Sequence, residues 1–405
     1  MGLNKTKRAP PRAKTIAFFE PRCTGVTHLE VTAAIIDMFS KIFPEHSLVF
    51  YTEETHGGFT KKRTAAKFEQ ININPPQGPR NRWEWLKEVF WDFTMMRKIR
   101  NIKPEYIVCM GYTWEIVLFA KLFQRKQKIV FFFHSIEKEI KQNVPAYRPA
   151  WWFWRSLEWE IKAHVQMVFG ESILREISKI RPALKFRSID HPHIPCYDAT
   201  VPINIVTSPP SKFAAISSAN VMRDISILFV LEKKLGKMPE NFELHSRAMV
   251  DGEGKIGDVK IPNDSKIKFI TTPECLSPEG WDAYINMMDF CMFFYPQNSY
   301  LFTASGALLE ALAHLKPVVA LHNSYLDYVF NKMGDIGYLC DTVDEMAASI
   351  RKAVLGGGGG EHYNAQRQNI MNGLKLFSPE YLAGSMRSIL SELDAPSGGS
   401  QQELF

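Results

Sequence analysis

Residues 284–321 read YINMMDFCMFFYPQNSYLFTASGALLEALAHLKPVVAL. Phe290–Tyr295 is a short run of strand type, apolar on both faces. A polar loop follows, ending at Thr303-Ala304-Ser305-Gly306, and then a helix over Gly306–His314 that carries Glu310. Pro317–Leu321 is a second apolar run. Strand, loop, helix and strand at this spacing form one parallel crossover unit. Ser305 stands where an N-cap belongs, so its hydroxyl and the free N–H groups behind it can hold an anion. Glu310 lies about one turn further in. From there a carboxylate reaches the ribose of a nucleotide whose diphosphate rests on the helix start. The alternative is that Ser305 only caps and Glu310 faces solvent.

The same unit recurs on both sides. Thr15–Glu20, Ser47–Tyr51, Glu105–Met110, Lys128–Phe133 and Val165–Phe169 read as strands. Between them lie helical stretches at Glu30–Phe43, Trp83–Arg100, Trp114–Phe123, Ala150–Ala163 and Glu171–Ile180. The segment from Tyr51 to Arg82 is polar and basic and reads as a loop. Pro192–Pro210 holds further prolines at Pro195, Pro202 and Pro209, and serves as a linker. The alternation then restarts. Alternation of this kind predicts an α/β chain with two doubly wound parallel sheets. The division is a basic tail over 1–14, a first domain over 15–195, a second over 196–390 and a tail over 391–405. Gly356–Gly360 follows a helix and reads as a flexible loop, since a nucleotide-binding glycine loop follows a strand.

The chain has 405 residues, 45% of them hydrophobic, enough for two or three domains. No apolar run reaches the ~18 residues of a spanning helix, and the basic N-terminus lacks the apolar core of a secretory signal. Six scattered cysteines without a CxxC pair predict reduced thiols and a cytoplasmic setting. Residues 1–200 carry 32 Lys and Arg against 20 Asp and Glu, whereas residues 201–405 carry 17 against 23. A basic half beside an acidic half suggests different partners for the two, although a solvated surface without a partner has the same composition.

The second half resembles the donor-binding core of the large retaining glycosyltransferase family of GT-B fold, related to glycogen and sucrose synthases. The family form is "E-G-F-G-x-x-x-L-E-A-x-A-x-G-K-P-V-V-A". Phe302-Thr303-Ala304-Ser305-Gly306-Ala307-Leu308-Leu309-Glu310-Ala311-Leu312-Ala313-His314-Leu315-Lys316-Pro317-Val318-Val319-Ala320 aligns with it. Gly334–Leu339 with Asp341–Ala348, and Phe377-Ser378-Pro379-Glu380-Tyr381, are similar to later family segments. Glu105–Gly111 and Lys128–Glu137 resemble strands of the acceptor domain. The resemblance spans roughly residues 15–390 and implies two Rossmann-like domains facing a central cleft.

It also implies roles. Glu310 matches the second motif glutamate, while Phe302 stands in place of the first, which in the family helps hold the donor sugar. Ser217–Asp224 aligns with "G-R-x-x-x-x-K-G", so that Arg223 falls on the lysine and Ser218 replaces the arginine that neutralises the diphosphate. A surface arginine at a helix start is the plain alternative for Arg223. His134, ending the Phe131–Phe133 run, matches the histidine near the reacting sugar; a structural histidine is its alternative. Glu137 and Glu139 follow as acceptor or base carboxylates, or as an exposed helix start. Gly25 lies in the first loop, where a glycine allows close backbone approach or simply a tight turn. Thr303, Ser305 and Gly306 complete the donor cradle. No DxD triad or His/Cys cluster is visible, and the resemblance implies metal-independent chemistry with a nucleotide-diphosphate sugar as donor and no cofactor.

Trp151, Trp152, Trp154 and Trp159 lie near Arg148 and Arg155, and Trp83, Trp85 and Trp91 near Arg80, Arg82 and Lys87. Aromatics flanked by arginines suit an anionic bilayer interface, an aromatic core or base stacking. No nucleic-acid module surrounds them, so nucleic acid is not expected as a partner. The resulting expectation is a glycosyltransferase acting on a carbohydrate or lipid-linked acceptor, cytoplasmic and attached peripherally to a membrane. A non-catalytic GT-B subunit and a sugar-nucleotide epimerase are the alternatives.

Overall fold

The computed structural model describes residues 14–76, 78–111, 113–137, 147–148, 150–197, 202–216, 225–248, 250–251, 253–269, 277–296, 300–356 and 360–394. Its first half is built on seven strands: β1 (Thr15–Glu20), β2 (Ser47–Thr52), β3 (Glu69–Asn72), β4 (Tyr106–Cys109), β5 (Lys128–Phe133), β6 (His164–Phe169) and β7 (Phe186–Ile189). They pair in the order β3-β2-β1-β4-β5-β6-β7, and every pair is parallel. Layers cover both faces of such a sheet, so its strands are continuous apolar runs. Phe131, Phe132 and Phe133 are all buried, as are Ile16 to Phe19. Helices α1 (Leu29–Ile42), α2 (Glu54–Arg63), α3 (Arg82–Asn101), α4 (Trp114–Phe123), α5 (Ala150–Glu158) and α6 (Glu171–Ile180) make the crossovers.

The stretch expected as a loop between Tyr51 and Arg82 instead contains α2 and β3. Helix α2 is disguised by Gly57 and Gly58, but Glu53 caps it, accepting from the N–H groups of Thr55 and His56. Gly57 has a packing reason, because a Cβ there would run into the Gln70 side chain of β3. β3 is an edge strand of sequence EQIN, with no apolar pattern to betray it.

The second half repeats the plan with β8 (Lys212–Ala215), β9 (Glu243–Ser246), β12 (Lys268–Phe269), β13 (Phe290–Phe293), β14 (Val318–Leu321) and β15 (Gly337–Cys340), ordered β12-β9-β8-β13-β14-β15 and again parallel. A small antiparallel pair, β10 (Lys255–Ile256) with β11 (Val259–Lys260), is inserted before β12. Helices α7 (Ser226–Leu235), α8 (Pro278–Met287), α9 (Gly306–Ala313), α10 (Ser324–Met333), α11 (Val343–Leu355), α12 (Glu361–Leu374) and α13 (Pro379–Asp394) complete the chain. Of the glycine run, Gly356 caps the end of α11, and Gly360, at φ 84°, starts α12. Residues 357–359 lie outside the described residues.

Strand order reverses at β1/β4 in the first sheet and at β8/β13 in the second, which are the positions where open parallel sheets bind ligands. The closing helix does not stay with the second sheet. α13 packs on α1, and Tyr106 donates to Asp394 at 3.0 Å while Lys41 pairs with Glu380 at 2.8 Å. The division of the chain at 390 cuts this helix, which runs on to Asp394 beside the first sheet. Among the described residues no helix is long and apolar enough to cross a membrane.

Candidate functional site

β5 ends at Phe133, His134 follows it, and the next residue crosses to the other half of the molecule. Ser135 forms an isolated antiparallel bridge with Thr303, and their hydroxyl oxygens lie 2.6 Å apart. The Ile136 N–H donates to the Phe302 carbonyl at 3.4 Å. This contact joins the tip of the first sheet to the loop leading into α9. It joins the segment that carries His134 and Glu137 to the one that carries Thr303, Ser305 and Gly306.

Ser305 caps α9: its Oγ accepts from the Leu308 N–H at 3.2 Å and lies 2.9 Å from the Tyr295 hydroxyl. The side chain is buried and occupied, so the cap positions the helix, and the anion-holding groups are the N–H groups behind it. Gly306 is exposed, and a Cβ there would meet open space. Backbone N–H groups at that end are therefore accessible to a ligand. Phe302 is buried in the core. At the position of the first motif glutamate the chain thus has an apolar anchor.

Glu310 is held, not free. The Trp281 indole N–H donates to it at 2.5 Å, and the Arg247 guanidinium sits 4.2 Å from the Trp281 ring centroid. Burial pushes the Glu310 carboxyl up to about 7, Glu30 adds to the rise, and Trp281 and Arg247 oppose it. Trp281 in turn stacks on Tyr284 at 5.5 Å. The motif puts Glu310 at the ribose position but holds no sign of this Trp281–Arg247 cover. Arg247, just after β9, was missed because an arginine at a strand end matches no motif.

On the first-sheet side, the loop after β1 passes Gly25 at φ 54°. Its N–H donates to Glu53 at 3.4 Å, and its carbonyl lies 2.8 Å from His56 Nδ1. The loop delivers His28, also left-handed at φ 54°, whose ring stacks on His134 at 4.7 Å. Phe169 and His191 pack behind, at 5.0 and 6.4 Å from the His134 ring. Burial, then His28 and His191, holds His134 well below the ordinary imidazole range, so at neutral pH it is uncharged. Its Nε2 has no hydrogen-bond partner among the described residues. Glu137 is buried close by, and its N–H donates to Ser135 Oγ at 3.4 Å. Ser218, Arg223 and Glu139 lie outside the described residues.

Two further groups escaped the sequence. Glu20, at the end of β1, is fully buried, and burial pushes its carboxyl up to about 8 against the pull of Cys23 and Arg22. It presses on Gly111, where a Cβ would run into Glu20 Oε1. Arg63 of α2 bridges the two halves, pairing with Glu30 of α1 and Asp282 of α8 at 2.7 Å each. Asp282 also meets His314 at 3.2 Å, and Cys196, Asp282 and His314 offer ligand atoms within 4.8 Å of one another. Residues so far apart in sequence show no metal-ligand spacing. Here the Arg63 guanidinium already answers the Asp282 charge.

No protein-family model and no curated protein matches the sequence. Solved structures do. A glycosyltransferase from Rickettsia africae aligns over 96% of this chain and 100% of its own, with 13% identity and a TM-score of 0.61. Sucrose-phosphate synthase from Thermosynechococcus elongatus aligns over 94% and 99%, with 13% identity and a TM-score of 0.60. HepE from Anabaena, solved in complex with UDP-glucose, aligns over 93% and 99%, with 12% identity and a TM-score of 0.59. What is shared at this identity is the fold. The chain has the GT-B architecture of glycosyltransferases, two Rossmann-like parallel sheets meeting at the ends of their strands.

Proposed function

We propose that the protein is a glycosyltransferase that moves a sugar from a nucleotide-diphosphate donor to an acceptor hydroxyl. The observation that carries this reading is the Ser135–Thr303 bridge, which joins the strand end that carries neutral His134 to the loop leading into α9, whose start at Gly306 is exposed. The HepE neighbour is solved with UDP-glucose, which supports a nucleotide sugar as the ligand of this cleft. In this reading the diphosphate rests on the α9 N–H groups, with Arg247, and with Arg223 and Ser218, which follow β8 in the sequence, supplying charge and hydrogen bonds. Glu310 takes the ribose hydroxyls once Trp281 yields it. The bond from the anomeric carbon to the diphosphate oxygen breaks and the bond to the acceptor oxygen forms. The acceptor proton passes to the leaving diphosphate or to Glu137. His134, uncharged, orients the sugar and adds no cation beside a developing oxocarbenium. Charge on the leaving group is assigned to protein groups and to no metal, and retention of configuration follows from the sequence resemblance. The acceptor is a carbohydrate or a lipid-linked sugar, with the enzyme cytoplasmic and peripheral to a membrane.

A second reading is a non-catalytic GT-B subunit. Phe302 buried where a sugar ligand would stand, and Glu310 covered by Trp281, favour it. Thermal shift against nucleoside diphosphates and UDP-, GDP- and ADP-sugars separates the two. A true donor at ~100 times its Kd adds about 2.7 kcal/mol. Stabilisation by one nucleotide sugar, with its slow hydrolysis or transfer, is the expected result. Nucleotide binding without turnover on any acceptor supports the subunit; no binding of any nucleotide removes the transferase reading and leaves a subunit that has lost donor use.

A further inference from the structure

Over its first half helix α3 is amphipathic in the wrong sense for a water-soluble surface, whereas its second half buries Met95, Met96 and Ile99 in the ordinary way. Its inward face buries Glu88 and Asp92, whereas Trp83 (77% exposed), Leu86 and Phe90 (71%) face outward at i, i+3 and i+7 spacing. The buried acids are matched from inside. Arg22 pairs with Asp92 at 2.7 Å and Glu88 at 2.9 Å, and Arg148 pairs with Glu115 at 3.1 Å.

The apolar surface continues onto the neighbouring helices. The crossovers β3 to β4, β4 to β5 and β5 to β6 all advance in one direction, so right-handed connections put α3, α4 and α5 on one face of the sheet. Phe93 of α3 contacts Phe119 and Phe123 of α4 at 5.3 and 5.5 Å. Trp114 of α4 stacks on Trp152 of α5, which stacks on Trp151 at 4.1 Å. Leu122, Phe123, Trp151 and Trp152 are exposed. Lone exposed apolar residues are ordinary; a set spread over three adjoining helices is not.

Charge selects the occupant. With Glu88, Asp92 and Glu115 sequestered in the interior, the outer surface keeps exposed Arg82, Lys87, Arg97, Lys98, Arg100 and Lys103, while the exposed Glu158 of α5 is paired with Arg155. Between the far halves of α3 and α4 lies a groove of about 690 Å³, lined by Phe93, Met96 and Phe119 and rimmed by Arg97, Arg100 and Lys103. A second copy of this chain would bring one cationic rim against another. A surface that is apolar at its outermost side chains and cationic around them fits the interface of an anionic bilayer, where rings sit at headgroup depth and cations meet phosphate.

We propose that the outer face of α3, α4 and α5 is a docking surface for anionic membranes. Trp83 and Trp151 lie at the starts of their helices, the same end as the cleft, so docking holds the cleft mouth at the bilayer. That the acceptor is then presented there rests on the glycosyl-transfer reading; the docking face does not.

The test is co-sedimentation with sucrose-loaded vesicles of phosphatidylcholine, with and without phosphatidylglycerol. The expected result is binding only to the anionic vesicles, released by salt. Trp83→Ala/Phe90→Ala/Trp151→Ala and Arg97→Glu/Arg100→Glu should each lower partitioning at least roughly fivefold, the worth of about one interfacial cation. Lys352→Glu, on α11 of the second half, should leave it unchanged. Apart from the bond that Arg100 donates to the Phe123 carbonyl, these side chains face outward, and circular dichroism checks that the variants fold. Parent protein left in the supernatant at low salt overturns the proposal. So does an effect of Lys352→Glu equal to the others, or tighter binding to a single-stranded oligonucleotide than to anionic vesicles. Nucleotide thermal shift on the same preparations keeps the two questions apart: donor binding without vesicle binding removes the docking face alone.

Discussion

Replacing Glu310 by Gln isolates one buried proton. Burial raises this carboxyl from 4.5 to about 7, and at 1.36 kcal/mol per pH unit that corresponds to about 3 kcal/mol. A raised acid means that between these values the folded chain keeps a proton which the unfolded chain has released. Stability from this group is therefore present below about 4.5, declines as pH rises through about 7, and is gone above it. The amide of the Glu310→Gln variant does not titrate, and its oxygen still accepts from the Trp281 indole. At pH 5 variant and parent should differ by less than about 1 kcal/mol. By pH 8 the variant should be the more stable by about 2–3 kcal/mol. Glu20 and Asp92, raised to about 8 and about 7 by burial, titrate in both proteins and cancel in the difference. Urea unfolding followed by fluorescence at pH 5, 6, 7 and 8 gives the comparison. A gap that stays constant across this range would show that Glu310 is ionised throughout, and the described packing around it would be wrong.

Arg247→Ala should weaken donor nucleotide by about 1.5–3 kcal/mol, with the melting temperature of the unliganded protein little changed, because among the described residues the arginine pairs with no carboxylate; calorimetry with the nucleotide found by screening decides it, and unchanged affinity refutes the assignment. Arg63→Ala leaves Glu30 and Asp282 facing each other across the two halves and should cost about 2–4 kcal/mol in urea unfolding, a loss that Asp282→Asn added to it should partly restore. Gly111→Ala should destabilise by more than about 2 kcal/mol through its clash with Glu20, and Glu20→Ala in the same chain should recover most of that; two additive losses would place the strain elsewhere.

The central strands were legible because burial on both faces leaves only one solution. Lys128–Phe133 and Phe290–Phe293 admit hardly any polar residue, and a cap such as Ser305 marks where the following helix begins. Residues at the edge carry no such constraint. β3, β7 and α2 escaped because an edge strand needs pairing but little burial, and because a glycine in a helix tells nothing of the neighbour that requires it. Helix α10 was missed even though Asn323 caps it and Tyr325, Leu326, Val329 and Met333 form an unbroken buried stripe. The site divides in the same way. Local roles, such as the cap at Ser305 and the strand-end position of His134, are written in adjacent residues. The Trp281 cover on Glu310 joins residues 29 positions apart, and the Arg63 bridge to Asp282 spans 219. These contacts, like the His28–His134 stack, exist only once the folded sheets bring distant segments together.

The return of α13 to the first sheet makes the joint between the halves a double one. The chain crosses once between β7 and β8 and again between α12 and α13, where His193 N–H donates to the Phe377 carbonyl at 2.9 Å and ties the two crossings side by side. A door on one pin can swing and twist; on two neighbouring pins it only swings. Any opening of the cleft would thereby be confined to rotation about the line through these crossings, a movement that would return Ser135 to Thr303 in the same register. It also means that a single protease cut in the proline-rich crossing would leave the two sheets joined through the other.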